Sequence, residues 1–337
     1  MVNRPPRAMG GAVVAAAVLA SLVACVAAPA AHAQSLGSQR VGTSAGTFLK
    51  IGVGARAVAM GGAFIAIADD ATAAAWNPAG LALVHDKSAT ATAMRWPTNI
   101  NYDYLAATQP MWQGTGAVQL GSLSADIHET TEYYPLGTGR TFTYSDWYAG
   151  VSYARLFTDR LALGMGARVV HEDLGSSVGG PSASTVAVDI GSLYSVGWRH
   201  VKIGMVLTNF GPPLAPGGQF TSTNGAQVNY GHYSLPSQFK IGASDDFIDA
   251  TDMKLTGDFE LTHPADGVET FRAGGELTVH HILALRGGYV FTSDLPGWSA
   301  GAGFHAGAGS VSTSLDYAYE AGGDLGTIHV VSLGVHF

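Results

Sequence analysis

From about residue 85 onward the chain alternates apolar and polar residues over unusually long stretches, and this alternation constrains the fold more than any other feature. In one run Met253, Leu255, Gly257, Phe259 and Leu261 share a parity, while Asp252, Lys254, Thr256, Asp258 and Glu260 fill the other. Side chains of a strand point alternately to its two faces, so one face is apolar and the other charged. The pattern returns with Phe271, Ala273, Leu277 and Val279 against Arg272, Glu276 and His280. It continues with Leu283, Leu285, Tyr289 and Phe291 against Ala284, Arg286 and Gly288. It closes with Val311, Thr313, Leu315, Tyr317 and Tyr319 against Ser312, Ser314, Asp316 and Glu320.

Two architectures alternate in this way: a soluble β-sandwich and a membrane barrel. Strands of about 10–13 residues exceed the roughly 5–6 usual in globular sheets and suit a tilted crossing of the bilayer. Aromatic residues gather near strand ends (Trp96, Trp112, Trp147, Trp198, Tyr289, Phe291, Trp298, Tyr317, Tyr319), as the interfacial girdles of a barrel require. Composition points the same way. Hydrophobic residues make up 47% of the chain and charged residues only 12%, with 45 glycines, whereas soluble domains carry about 25% charge. Past the first 35 positions no apolar run is long enough for a spanning helix, which leaves a closed barrel as the way to satisfy every backbone group in lipid. The expected fold is therefore all-β, a transmembrane antiparallel barrel of about 14 strands. Expected strand starts lie near Ser88, Tyr102, Thr115, Ser145, Arg160, Ser184, His200, Ser237, Asp252, Val268, Ile282, Trp298, Ser310 and Thr327. The segments Ile127–Thr143, Asp173–Ala183 and Gly211–Leu235 are expected to be surface loops.

The first residues read as an export leader. Arg4 and Arg7 give a positive start, Gly11 to Val26 an apolar stretch, and Ala31-His32-Ala33 a cleavage site before Gln34, which makes residues 1–33 a signal peptide. Leu22-Val23-Ala24-Cys25 also resembles a lipobox, so cleavage before Cys25 with lipidation stays open. Cys25 is the only cysteine, so the mature chain forms no internal disulfide. Residues 34–84 differ from the strand-like remainder of the chain. They are rich in Gly and Ala with a period nearer to a helix, Ala63, Ile67, Ala71 and Ala74 sharing a face. A net charge of −8 argues against a nucleic-acid partner.

The end of the chain carries its own signal. Val331, Leu333, Val335 and Phe337 alternate with Ser332, Gly334 and His336, and the final aromatic resembles the terminal signal by which the barrel assembly machinery recognises its clients. The motifs of both ends resemble a known family. Gly42-Thr43-Ser44-Ala45, Phe48-Leu49-Lys50-Ile51-Gly52-Val53-Gly54-Ala55-Arg56-Ala57, Met60-Gly61-Gly62-Ala63-Phe64, Ala68-Asp69-Asp70-Ala71 and Trp76-Asn77-Pro78-Ala79-Gly80-Leu81 resemble the start of mature PorV/PorQ-family proteins. The Asn-Pro-Ala element is similar to one in the wider FadL-like group, and Leu283–Tyr289, Leu315–Tyr319, Leu325-Gly326 and His329–Phe337 resemble the family's closing strands. The resemblance is dense at the ends and weak in the middle. It implies a fourteen-stranded FadL-like barrel, residues 85–337, with residues 34–84 folded into its lumen as a hatch.

On that expectation the hatch residues are Gly52, Gly54, Arg56, Met60, Gly61, Gly62, Asp69, Asp70, Asn77, Pro78 and Gly80. The lumen charges Lys254, Asp258, Glu260, Arg272, Glu276, Arg286 and Asp316 face them or line a wet pore, with Arg56 and the Asp69–Asp70 pair as the hatch-side partners. No catalytic, cofactor-binding or metal residue is expected. Gly52-x-Gly54-x-x-Ala57 mimics a dinucleotide fingerprint but lacks a βαβ setting, and Gly42-x-Ser44-x-Gly46 lacks the strand–elbow–helix context of a nucleophile. His171-Glu172-Asp173 and His280-His281 fall on successive strand positions and point apart.

The expected setting is the outer membrane of a Gram-negative-type bacterium, with lipid as the surrounding partner. The FadL-like resemblance implies passive transport of hydrophobic small molecules, and the PorV-like one an accessory role in type IX-like protein secretion. A structural barrel without throughput remains a third reading. Transport predicts an apolar, ligand-sized cavity between hatch and wall, with Pro97 and Pro110 as strand breakers beside a side opening; secretion predicts an exposed loop surface and no enclosed pocket.

Overall fold

A computed structural model describes residues 40–222, 225–291, 297–323 and 326–337; the leader, Cys25 and its two cleavage readings lie outside the described residues. The wall is built from β1 (Ser88–Arg95), β2 (Ile100–Met111), β3 (Gly114–His128), β4 (Thr141–Thr158), β5 (Leu161–Asp173), β6 (Ser182–Ser195) and β7 (Lys202–Phe210). A small hairpin, β8 (Gln219–Thr221) and β9 (Gln227–Asn229), stands apart in the following loop. The wall resumes with β10 (Gln238–Ala250), β11 (Met253–Pro264), β12 (Thr270–Val279), β13 (Leu283–Val290), β14 (Trp298–Ala308), β15 (Val311–Ala321) and β16 (Thr327–His336). Each wall strand pairs antiparallel with its neighbours, and β1 pairs with β16 from Ser88↔His336 to Arg95↔His329, so fourteen strands close into a barrel. Phe337 extends this seam by donating its N–H to the Lys87 carbonyl at 2.9 Å.

The expected strands and the observed ones coincide closely; the largest offset is at β4, which begins at Thr141 rather than near Ser145. Alternation sorts the faces as the sequence implied. Leu105, Val118, Val151, Met165, Ile190, Phe259, Leu285, Leu315 and Leu333 are exposed on the outer wall, whereas Gln119, Arg168, Asp189, Glu260, Glu276, Arg286 and Asp316 are buried on the inner one. Leaving so many large apolar side chains exposed is sensible only where lipid covers them. No helix among the described residues is long and apolar enough to cross a membrane.

The two ends of the barrel differ. Tight connections at one end, Trp112–Gln113, Asp159–Arg160, Thr251–Asp252 and His280–Ile282, define a turn end, which also holds Ser88 and Phe337. All three expected surface loops lie at the opposite, loop end, where β3–β4, β5–β6 and β7–β10 are joined. Exposed aromatics mark both rims: Trp112 and Trp198 at the turn end, and Trp147, Tyr289, Phe291 and Trp298 towards the loop end. Trp96 instead packs half-buried against the interior.

Three expectations need correction. Asp252 and His280 do not face the lumen from strands. They sit in the β10–β11 and β12–β13 turns, both solvent-exposed, with the His280 N–H donating to the Asp252 carbonyl at 2.7 Å. Neither proline breaks the wall: Pro97 opens a short 3-10 turn between β1 and β2, and Pro110 pairs in register with Thr115. The ladder is irregular elsewhere, at Leu156/Thr158, Asp246/Ile248 and Val188/Ile190.

Candidate functional site in the barrel lumen

Residues 40–84 run inside the barrel, from the loop end to the turn end. At the loop end Ser44 bridges Ser234 of the β7–β10 loop. The Gly46 N–H donates to Glu172 Oε2 at 2.9 Å, and Lys50 Nζ to Asp266 Oδ2 at 2.8 Å. At the turn end Thr115 Oγ1 donates to the Val84 carbonyl at 2.7 Å. The wall groups used throughout (Gln119, Ser244, Glu260, Glu276, Ser299 and Ser332) all belong to the inward parity.

The segment is less helical than its composition suggested. Its α-helices span only Ala55–Ala59 and Ala73–Trp76, with 3-10 turns at Thr47–Lys50 and Pro78–Leu83. Ala63, Ile67 and Ala71 are buried but lie in turns, so no continuous helix carries them. The reason is local. Gly61 and Gly62 adopt φ of 69° and 72°, a left-handed conformation that ends the first helix and lets a short segment reach across the lumen.

Three of its turns rest on pairs of inward glycines that face each other across neighbouring strands. Pro78–Ala79, with the Asn77 side chain, lies on Gly164↔Gly191 of β5 and β6; Ile65 on Gly204↔Gly242 of β7 and β10; Met60–Gly61 on Gly274↔Gly288 of β12 and β13. At Gly164, Gly204, Gly274 and Gly288 the contact is backbone on backbone: a methyl group at Gly164 would stand 2.4 Å from the Ala79 nitrogen. Only the segment's own glycines were expected at this contact; the wall glycines that receive them were not. The available signal was glycine recurring on the charged parity of the strands.

Charge fixes the segment further. Arg56 lays a fork on Glu276, Nε–Oε2 and Nη2–Oε1 both 2.9 Å, and its Nη1 reaches Asp69 Oδ1 at 2.5 Å and Asp70 Oδ2 at 3.3 Å. Bidentate geometry makes this the strong kind of ion pair. Glu276 also accepts from Arg286 Nε at 2.6 Å, and Arg286 Nη1 from there reaches Asp316 at 2.5 Å. One chain of charges therefore runs from the segment through β12 and β13 to β15. Burial alone would lower the Arg56 pKa, but Asp69, Glu276 and Asp70 outweigh it and hold it well above the ordinary value. Asp69 and Asp70 serve the segment itself rather than the wall, Asp70 also capping Thr72 at 2.8 Å.

The other expected residues fall at separate places. Glu260, fully buried, accepts from the Phe64 and Ile65 N–H groups at 3.3 and 3.5 Å. Arg272 lies beside Gly62, and Asp258 is buried with neither carboxylate oxygen hydrogen-bonded. Lys254 is away from these contacts and pairs with Asp246 of β10 at 3.1 Å. Within the segment, Trp76 packs over Gly52, Thr72 against Gly54, and the Ala68 carbonyl lies where a Gly80 side chain would be. Asn77 is fully buried: Oδ1 accepts from the Ala79 N–H at 3.1 Å, and Nδ2 donates to the carbonyls of Ile65 at 2.9 Å and Ser192 at 3.2 Å. Val331, Leu333 and Phe337 are exposed on the outer wall and Val335 is half-buried.

Two cavities adjoin the segment. The larger, about 690 Å³, lies at the turn end beneath Gly54–Arg56 and Asp69–Thr72. Its walls carry His280, His281, His305, His336, Lys254, Asp316 and several serines and threonines, so it is polar. The smaller, about 30 Å³, lies between segment and wall around Trp76 and Lys240. Neither is the apolar, ligand-sized cavity that transport predicted. Among the described residues no group of three His, Asp or Glu side chains is placed to hold a metal ion. His171 stacks on Trp147 outside, whereas Glu172 faces in.

In structure the chain is similar to the toluene transporter TbuX of Ralstonia pickettii, at a TM-score of 0.53 and 14% identity, covering 85% of this chain and 97% of that one. It is likewise similar to the toluene transporter TodX of Pseudomonas putida, at 0.54 and 12% identity over 85% and 97%. The CymD monoaromatic hydrocarbon channel gives 0.53 and 13% over 85% and 96%. No protein-family profile matches the chain, and no curated protein matches it in sequence. The chain shares its fold with these solved channel barrels.

Proposed function

We propose that the protein is a passive outer-membrane channel for hydrophobic small molecules, held shut in this conformation by residues 40–84 acting as a hatch. The observation that carries the reading is a fourteen-strand barrel, in the fold of channels for toluene and other monoaromatics, whose own N-terminal segment crosses the lumen. Outside it lies lipid, and the apolar outer wall between aromatic rims suits that setting. With the hatch flush against paired glycines, passage requires the hatch to shift. The 690 Å³ cavity beneath it is the way out at the turn end. The apolar outer face of β16, ending in Phe337, is the stretch offered to the barrel assembly machinery.

A second reading is favoured by two specific features. The flush hatch leaves about 30 Å³ and no apolar pocket at its contact with the wall, while the loop tip Tyr133–Leu136 is highly exposed, Leu136 fully so. Both suit a PorV/PorQ-like accessory of a type IX-like secretion system. Proteoliposomes separate the two. A channel raises uptake of radiolabelled toluene or a long-chain fatty acid above that of empty vesicles. Absence of uptake, with secretion components recovered in pull-downs from detergent extracts, would overturn the transport reading.

A further inference from the structure

The small cavity between hatch and wall is built from cations. Its polar lining includes Lys50 of the hatch, Tyr148 of β4, Arg168 of β5, Thr208 and Asn209 of β7, and Gln238 and Lys240 of β10, and no carboxylate lines it. The acids that neutralise these cations stand behind them. Asp189 takes Arg168 Nη2 at 2.7 Å, and Asp266 takes Lys50. Arg168 is 3% exposed and its Nε donates to nothing. Lys240 is also buried; its Nζ lies 3.9 Å from Glu260, beyond a hydrogen bond, and 5.0 Å from the Trp76 ring centre. An ammonium carries three donors, and leaving it buried without an acceptor is costly. A local departure of the wall opens this place: Val188 pairs with Phe210 but Ile190 with Leu207, and Asn209 takes φ 58° with its N–H turned to Asp189.

We infer that this cavity binds a compact monovalent anion, either a free halide or the carboxylate end of a larger molecule. Charge selects the sign, since every polar side chain that lines the cavity is neutral or cationic. Size points to compactness: a water needs roughly 10–15 Å³ of such space, so about 30 Å³ holds two oxygen atoms or one halide. Lys50 belongs to the hatch, whereas Arg168 and Lys240 belong to the wall, so the anion ties one to the other. The assignment does not rest on transport, and a failed uptake experiment leaves it standing.

Crystals of the full mature protein grown in sodium bromide test it directly. An anomalous bromide peak among Arg168, Lys240 and Lys50 is expected. In detergent solution the protein should broaden the chloride NMR line. Lys240→Met should lose that broadening, whereas Lys87→Met, at an exposed position, should retain it. Displacement by octanoate would assign the site to carboxylates; chloride held against octanoate would assign it to halides. Should Lys240→Met fail to fold, Gln238→Leu should weaken the broadening, and the bromide peak needs no variant. No anomalous peak together with no specific broadening overturns the inference.

Discussion

The Met60 carbonyl carbon lies 2.0 Å from where a side chain on Gly288 would begin, so hatch and wall meet there with no room for a methyl group. Gly288→Ala is therefore expected to lift the hatch from β13 while leaving strand pairing intact. Channel conductance in planar bilayers should rise above that of the unchanged protein. Gly275→Ala, on the outward parity with its nearest neighbour at 3.9 Å, should change nothing. Equal conductance for both variants would mean that the glycine contact does not hold the hatch.

Arg56 is the hatch's bidentate anchor on Glu276. The pair is part-buried, so Arg56→Ala should cost about 2 kcal/mol, between surface and buried extremes. Arg56→Lys should recover little, because an ammonium cannot span both carboxylate oxygens. Limited proteolysis of residues 40–84 in the folded barrel reports the effect: both variants should be cut faster than the native chain.

Asn77 satisfies a hatch N–H and two carbonyls from full burial. Truncation to Ala leaves these groups without partners and should destabilise the hatch by about 3 kcal/mol. Urea unfolding followed by Trp76 fluorescence, with the other five tryptophans replaced by phenylalanine, should show this loss, with the barrel's own transition, followed by circular dichroism, moving less. A single unchanged transition would contradict it.

Orientation is open to direct measurement. Long loops face outward in barrels of this kind, and short turns face the periplasm. Cysteines placed at Ser176 or Gly217 should react with an impermeant maleimide on intact cells, and one at Asp252 only after lysis. The single native cysteine, Cys25, falls in the stretch expected to be an export leader, and its removal or lipidation there would keep the background low. The reverse pattern would turn the barrel over.

The last residue has a separate test. Phe337 is exposed on the outer wall, and its side chain makes no hydrogen bond or ring contact among the described residues. Phe337→Ala should therefore leave the finished barrel's stability nearly unchanged but reduce the amount assembled, measured as the heat-modifiable fraction on gels. A stability loss with normal assembly would make the residue structural rather than a signal.

The wall was legible because its physics is local. Period-2 alternation places Phe259 in lipid and Glu260 inside without knowledge of any neighbour. The Arg56–Glu276 contact was half legible: the residue types were evident, but the pairing of Asp69 and Asp70 with Arg56 depended on a turn made by Gly61 and Gly62. The glycine pairs were not foreseen. Gly164 and Gly191 are 27 residues apart and become one surface only when the register of β5 and β6 is known. Pro97 and Pro110 misled because proline interferes with a ladder only where its missing N–H is needed, and here a turn and a strand end absorb them.

The seam between β1 and β16 joins the first wall strand to the last, and the hatch precedes β1 in the chain. The cylinder cannot shut until β16 is in place, and until then the wall has two free edges. Once Ser88 meets His336 the ring of hydrogen bonds offers residues 40–84 no sideways entry. A hatch arriving after closure has only the barrel axis to enter by, so the order of the two events bears on how readily the lumen is filled.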